Sequence, residues 1–163
     1  MAINFSNNQT LSEISNKISA PGRIVQTVHT VQTAGMQTAS TSPVDWFTST
    51  AITLASANNI ILIEHHSDNR TNDWSDGGWN LYYMDIVHVQ SGTQITYTGY
   101  VGERTYNIRH VHRVGRHQPG SVGPHSYKVR GWSYSALNTS FNGLNYGVGN
   151  DSIAYLRLTE IAV

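Results

Sequence analysis

DSIAYLRLTEIAV, residues 151–163, is the stretch that most clearly decides the fold. Apolar and β-branched side chains dominate it, and it contains neither glycine nor proline. Such a composition fits a pleated, half-buried surface, and a terminal segment stays ordered when it is paired in a sheet. The stretch therefore predicts a strand that is locked into a β-sheet.

Strand-like segments also fill the chain upstream of this stretch. After Pro21 no segment keeps a 3.6-residue apolar period, and clusters of turn-forming residues separate short apolar runs. The predicted strands are residues 24–33, 47–54, 59–66, 79–89, 94–100, 104–114, 126–136 and 153–163. Eight strands with short connections indicate an all-β protein, specifically an antiparallel jelly-roll β-sandwich of about eight strands.

Residues 1–21 have a different, polar character and are predicted to form a short N-terminal arm, with the sandwich domain at residues 22–163. The arm contains one amphipathic pattern, whose apolar positions are Leu11, Ile14 and Ile18. A helix of about nine residues is too short to be stable alone in water, so its apolar stripe needs a surface. Two interpretations stay open: a segment that is disordered or folded back on its own domain, and a docking arm for another protein.

Composition excludes several classes of function. The ten Lys and Arg residues balance the ten Asp and Glu residues, so there is no basic field to hold a phosphate backbone, and no nucleic-acid partner is predicted. The chain has no cysteine, which removes thiol nucleophiles, zinc–thiolate sites and disulfides. No window approaches the roughly 18 apolar residues of a membrane helix, so no membrane insertion is predicted either.

A loop rich in Asn, Asp and Gly, around residues 67–78, is the main candidate for ligand or receptor contact. Flat aromatic rings beside polar side chains suit sugar binding, subunit contact or plain packing, and all three uses stay open here. The candidate residues are Asp68, Asn69, Arg70, Trp74, Asp76 and Trp79. Two later aromatic residues, Trp132 and Tyr155, are instead expected to pack in the core.

The predicted strand at residues 79–89 carries large side chains on both of its faces. A monomeric sandwich usually keeps one face of each sheet in water. Large side chains on both faces therefore suggest that another subunit covers the outer face. We therefore predict an oligomer interface that includes Tyr82, Met84 and Ile86, which should lose solvent exposure on assembly.

Histidines and carboxylates offer weak signals for chemistry. His110 and His112 are on one strand face, about 7 Å apart by strand rise, but the glutamate that a cupin metal site needs does not follow them. Glu64 and His66 also share a face, with His65 on the other, yet no nucleophile motif completes a catalytic set. The prediction is therefore no catalytic residue, no metal site and no cofactor. Whether His110 and His112 bind a metal on a symmetry axis stays open.

Four segments carry a resemblance to a known family: GRIVQTVHTVQT at residues 22–33, the strand at residues 46–54, IILIEH at residues 60–65 and LRLTEIA at residues 156–162. Together they resemble the small jelly-roll domains of virion proteins in tailed phages, which occur in fibres, appendages and head decorations. These motifs are strand signatures without catalytic residues, and the middle of the chain, residues 67–150, is individual to this sequence.

The resemblance implies a non-enzymatic virion structural protein that acts in particle assembly or attachment. It implies a homo-oligomer, with a trimer favoured, and contact with other virion proteins through the N-terminal arm. The protein is expected in the virion, after assembly in the host cytoplasm. One alternative is a lectin-like fibre-tip domain that binds a host surface glycan. The other is a small cupin-like metalloenzyme that uses His110 and His112.

Overall fold

The computed structural model describes residues 21–71, 80–103, 109–134, 139–141 and 153–163. Every regular element within these ranges is a β-strand. The strands are β1 Ile24–Gln32, β2 Met36–Thr38, β3 Val44–Thr48, β4 Ile52–Thr53, β5 Ile60–Thr71, β6 Asn80–His88, β7 Gln94–Glu103, β8 Arg109–His117, β9 Pro124–His125, β10 Tyr127–Ser133, β11 Thr139–Phe141 and β12 Ala154–Ile161. The described part of the chain holds no helix with the length and apolar character needed to cross a membrane. The predicted all-β class is confirmed.

The longer strands form two antiparallel sheets. The first sheet contains β1-β12-β5-β8 in that order; β11 pairs with the last residues of β5, and β2 pairs with β11. The second sheet has the order β3-β10-β6-β7, and β4 and β9 form a separate two-stranded ribbon. When the strands of five or more residues are numbered from 1 to 8, the two orders read 1-8-3-6 and 2-7-4-5. This is the order of a jelly roll, in which the chain crosses repeatedly between two sheets.

The core lies between the two sheets and follows the two-residue period of the strands. Ile61 and Ile63 of β5 and Leu156 and Leu158 of β12 have no measurable solvent exposure. Both strands alternate these residues with more exposed ones, because successive side chains of a strand point to opposite faces. β12 pairs with β1 on one side and β5 on the other, which explains its apolar composition.

The interface predicted at Tyr82, Met84 and Ile86 is wrong for these residues. Each is 2% exposed and belongs to the core of the single chain, so none has solvent exposure to lose on assembly. Alternation separates the two faces of β6, but it does not indicate which face the other sheet covers. The outward face carries Tyr83 instead.

Several strand limits differ from the prediction. The strand expected at residues 47–54 is divided into β3 and β4, because the chain leaves the sheet at Ser49. There the Ser49 amide donates to the Tyr127 carbonyl at 2.8 Å, and the Ser49 hydroxyl accepts from the Tyr127 amide at 3.0 Å. β5 continues to Thr71 and β8 to His117, past the positions where turns were expected. The two strands pair with each other as far as Asn69, and β5 then pairs with β11 up to Thr71.

The described chain begins beside the end of β12. The Gly22 amide donates to the Ala162 carbonyl at 2.7 Å, and the Ala162 amide donates to the Arg23 carbonyl at 2.9 Å. The two ends of the sandwich domain are therefore fixed to each other. The predicted docking residues, Leu11, Ile14 and Ile18, lie outside the described residues.

Candidate functional site

The outer face of the second sheet carries four aromatic rings in mutual contact, which we call the aromatic patch: Tyr83, Tyr97, Trp132 and Tyr134. Trp132 is opposite Tyr83 in the β10–β6 register, and their rings stack at 5.3 Å between centroids. Tyr97 and Tyr134 contact Tyr83 from two further positions, at 5.9 and 6.0 Å. Tyr97 is 57% exposed and Tyr134 is 53% exposed, so the patch presents ring surface to solvent.

Charged side chains lie next to the aromatic patch, and they are bonded to one another. Arg130 donates from Nε and Nη2 to the two carboxylate oxygens of Asp85, whose side chain is fully buried. Gln94 donates to the same carboxylate at 2.8 Å. On the other side of Arg130, Lys128 forms an ion pair with Asp45 at 2.7 Å. The polar margin is thus internally satisfied, which leaves the rings as the main contact surface.

The outer face of the first sheet carries a row of rings that crosses several strands. His66 of β5 stacks on Tyr155 of β12, with centroids 5.4 Å apart and an angle of 13° between the ring planes. His110 of β8 lies on the other side of His66 at 6.2 Å and 22°. His29 of β1 contacts Tyr155 at 5.1 Å. His66 is therefore held between two flat partners.

Acidic side chains of β5 accompany these rings. Asp68 Oδ1 is 2.6 Å from His110 Nδ1, and one ligand atom each of His66, Asp68 and His110 lie within 4.8 Å of one another. The Arg157 guanidinium donates to both Glu64 oxygens at 2.6 Å, and this bond holds the pKa of the Glu64 carboxyl below its ordinary value. A shallow groove lies beside this ion pair, lined by Thr27, Leu62, Glu64, Arg157, Thr159 and flanking isoleucines.

A second group of histidines, which we call the histidine cluster, lies at the edge of the core: His88, His117 and His125. His88 Nε2 is 3.1 Å from His125 Nδ1, and the rings of His88 and His117 are 4.6 Å apart. Burial, together with a smaller effect of the two nearby imidazoles, lowers the pKa of His88 to about 4. Sequence reasoning missed this cluster because its members come from three separate strands.

The predicted ligand-contact residues do not form one surface in the described part of the chain. Asp68 faces outward, whereas Asn69 is fully buried and donates to Met84 Sδ at 2.8 Å. Arg70 lies in β5, and its backbone is opposite that of Ser140 in β11. Trp74, Asp76 and Trp79 lie outside the described residues.

Other sequence predictions have clear outcomes. His110 and His112 share the outer face of β8, and His65 is buried on the opposite face from Glu64 and His66, as expected. Glu64 is bonded to Arg157, and the imidazole that it approaches is that of His112, whose Nε2 is 4.0 Å from Glu64 Oε1, rather than that of His66. Trp132 and Tyr155 are not core residues, because both alternate with buried neighbours and face outward.

Comparisons with known proteins agree with the fold. No protein-family model and no curated protein matches the chain. Among the solved structures that are similar is a chain from the crystal structure of the T13 viral particle of IBDV, described as bearing on the evolution of icosahedral viruses. It is 12% identical with a TM-score of 0.50, and the match covers 89% of this chain and 36% of that one. This chain thus spans about a third of its neighbour's length, and it shares a β-sandwich fold with part of a viral particle.

Proposed function

We propose that this chain is a non-enzymatic structural subunit of a virion. The observation that carries the proposal is the jelly-roll strand order, in a fold similar to part of a chain from an icosahedral viral particle. The strand motifs of the sequence support the same class and favour a tailed phage, in which the subunit forms part of a fibre, an appendage or a head decoration. Its role is assembly or attachment.

The aromatic patch supports association with further copies of the chain. Tyr and Trp contribute most of the energy in many protein interfaces, because they cover large areas with few rotatable bonds. Here the rings already contact one another, which reduces the entropy lost when a partner orders them. The occupant that we propose is the same patch, or an adjacent surface, of a sister subunit, and a trimer is the favoured assembly.

Association is tested by light scattering at micromolar concentration. We expect an oligomer for the unchanged protein and a shift toward monomer for Tyr97→Ser, because the exposed ring is removed without opening a core cavity. Val114→Ser is the matched control, since Val114 is 51% exposed on the first sheet, away from the patch. A monomeric wild-type protein, or equal effects of the two substitutions, contradicts the proposed interface.

The N-terminal arm is proposed to attach the subunit to other virion proteins. The backbone bonds of Gly22 to Ala162 support this role, because they fix the point at which residues 1–21 join the sandwich. A chain that starts at Pro21 should fold normally and fail to enter particles. Normal incorporation of the shortened chain contradicts the docking role.

The virion assignment itself is tested by mass spectrometry of density-purified particles from the virus that encodes the chain. We expect the chain in a fixed ratio to the major capsid protein, and no enrichment in the soluble fraction of lysed host cells. Its absence from purified particles contradicts the assignment.

A second candidate function is binding of a host surface glycan. The aromatic patch supports it as well, because stacked rings beside charged side chains can cover the apolar face of a sugar. A glycan-array signal that disappears in Trp132→Ala or in Trp74→Ala favours this function. A blank array favours the purely structural role.

A further inference from the structure

We propose that His66, Asp68 and His110 bind a divalent first-row transition metal, such as Zn²⁺, on the outer face of the first sheet. His66 and Asp68 are two residues apart on β5, so their side chains project from the same face. The antiparallel register of β5 and β8 sets His110 directly opposite Asp68. The three ligand atoms lie within 4.8 Å of one another, so the backbone already assembles the site.

The donor set has the right chemistry for this class of metal. Two imidazole nitrogens and one carboxylate oxygen suit zinc, nickel, copper and iron, whereas magnesium and calcium prefer sites made of oxygen alone. Three protein ligands also leave coordination positions open for water or for a group from another molecule. The metal would join β5 to β8 through their side chains, in addition to their backbone hydrogen bonds.

Only small side-chain movements are needed to close the site. Asp68 Oδ1 and His110 Nδ1 are 2.6 Å apart, and ligands on one tetrahedral zinc ion lie roughly 3.4 Å apart when the bonds are about 2.0–2.2 Å long. The His110 side chain is 75% exposed and is free to rotate by this amount. His66 is held in place by Tyr155, which stacks on its other face.

Two arginines that the structure describes near these ligands do not oppose the binding of a cation. The sequence places Arg113 close to the histidines, but in the register it is opposite the buried His65, so it belongs to the other face of β8. Arg157 does share the outer face, and its guanidinium is already bonded to both Glu64 oxygens.

This site differs from the symmetric one that His110 and His112 suggested from sequence. All three ligands come from a single chain, so binding needs no threefold axis and is expected at one metal ion per chain. His112 lies on the same strand face, 55% exposed, but outside the group of converging ligand atoms. It therefore serves as a matched control.

The test is equilibrium dialysis of the tag-free full chain against zinc, with the bound metal measured by mass spectrometry. We expect one zinc ion per chain for the wild type and for His112→Ala. His66→Ala and His110→Ala should each weaken binding by about tenfold or more, and Asp68→Asn should weaken it as well. The melting temperature should rise with zinc only in the two proteins that bind it.

Several results overturn the proposal. One is a wild-type chain that stays largely metal-free at about 0.1 mM free zinc. Another is unchanged affinity in His110→Ala, and a third is an equal loss in His112→Ala. Circular dichroism confirms that each variant is folded. If His66→Ala does not fold, His110→Ala decides the question, because truncation of so exposed a side chain leaves the packing intact.

Discussion

The burial of the His88 ring predicts that the protein loses stability in mild acid. Its side chain packs against three strands, which bring His117 from β8, His125 from β9 and Tyr127 from β10 around it. The residue is 4% exposed, and its Nδ1 is 2.8 Å from the Ser91 hydroxyl. Burial and the two neighbouring imidazoles lower the pKa of His88 from 6.5 to about 4. The folded protein therefore keeps this ring neutral at pH values at which the unfolded chain protonates it.

The sign and size of the effect follow from proton linkage. Between about pH 6.5 and pH 4 the unfolded state binds a proton that the folded state excludes, so the free energy of unfolding falls as the pH falls. For this one group, a change from about pH 7 to pH 5 lowers that free energy by about 2 kcal/mol. Below about pH 4 the loss levels off at about 3 kcal/mol, because both states are then protonated.

The assay is urea unfolding, followed by tryptophan fluorescence at the two pH values. His88→Gln keeps hydrogen-bonding groups at this position but does not titrate in this range. The comparison does not require this variant to be as stable as the wild type at neutral pH, because only the change in stability between the two pH values is compared. The expected result is a loss of stability between the two pH values that is about 2 kcal/mol smaller than in the wild type. His29→Gln, at an exposed position of β1, controls for the removal of one histidine.

Equal losses in the wild type and in His88→Gln refute the reasoning. So does a wild-type protein whose unfolding free energy does not change between neutral pH and pH 5. A changed slope of free energy against urea concentration would indicate a change in the unfolded state instead, so slopes are compared as well.

Three further predictions concern stability at neutral pH, each measured by urea unfolding. Gly131→Ala should destabilise the protein by about 1–3 kcal/mol, because the new Cβ would lie 2.5 Å from Cζ of the fully buried Phe141; no change would show that the ring can move aside. Glu160→Ala should lower the free energy of unfolding by about 3 kcal/mol or more, because the fully buried carboxylate accepts hydrogen bonds from the Ala55 amide and from the side chains of Gln26 and Asn59. A decrease of less than about 1 kcal/mol contradicts this prediction. Arg130→Met should lower the free energy of unfolding by about 3–5 kcal/mol, because it leaves the buried Asp85 carboxylate without its cation. Partial recovery of stability in the double variant, Arg130→Met with Asp85→Leu, would identify the unpaired charge as the cause.

The candidate sites show where prediction from sequence reaches its limit. The sequence showed that β6 carries large side chains on both of its faces, and the structure does place aromatic rings on its outer face. The choice of Tyr82 over Tyr83 as the outward position was wrong, because the burial of each face depends on β strands elsewhere in the chain. Similarly, the placement of His110 and His112 on one face of a strand was predictable, whereas the approach of Asp68 and His66 to His110 was not.

The sequence by itself determined the all-β class, the approximate location of most of the long strands and the strand character of residues 154–161. These properties follow from side chains that are neighbours along the chain, since the two-residue period and the turn-forming clusters are local signals. Only the tertiary structure decided which face of each strand is buried, which strands are paired and in what register. Those decisions come from contacts between residues far apart in the chain, and a shift of one residue in register would move every side chain of a strand to the other face. The aromatic patch, the histidine cluster and the proposed metal site all depend on such long-range contacts.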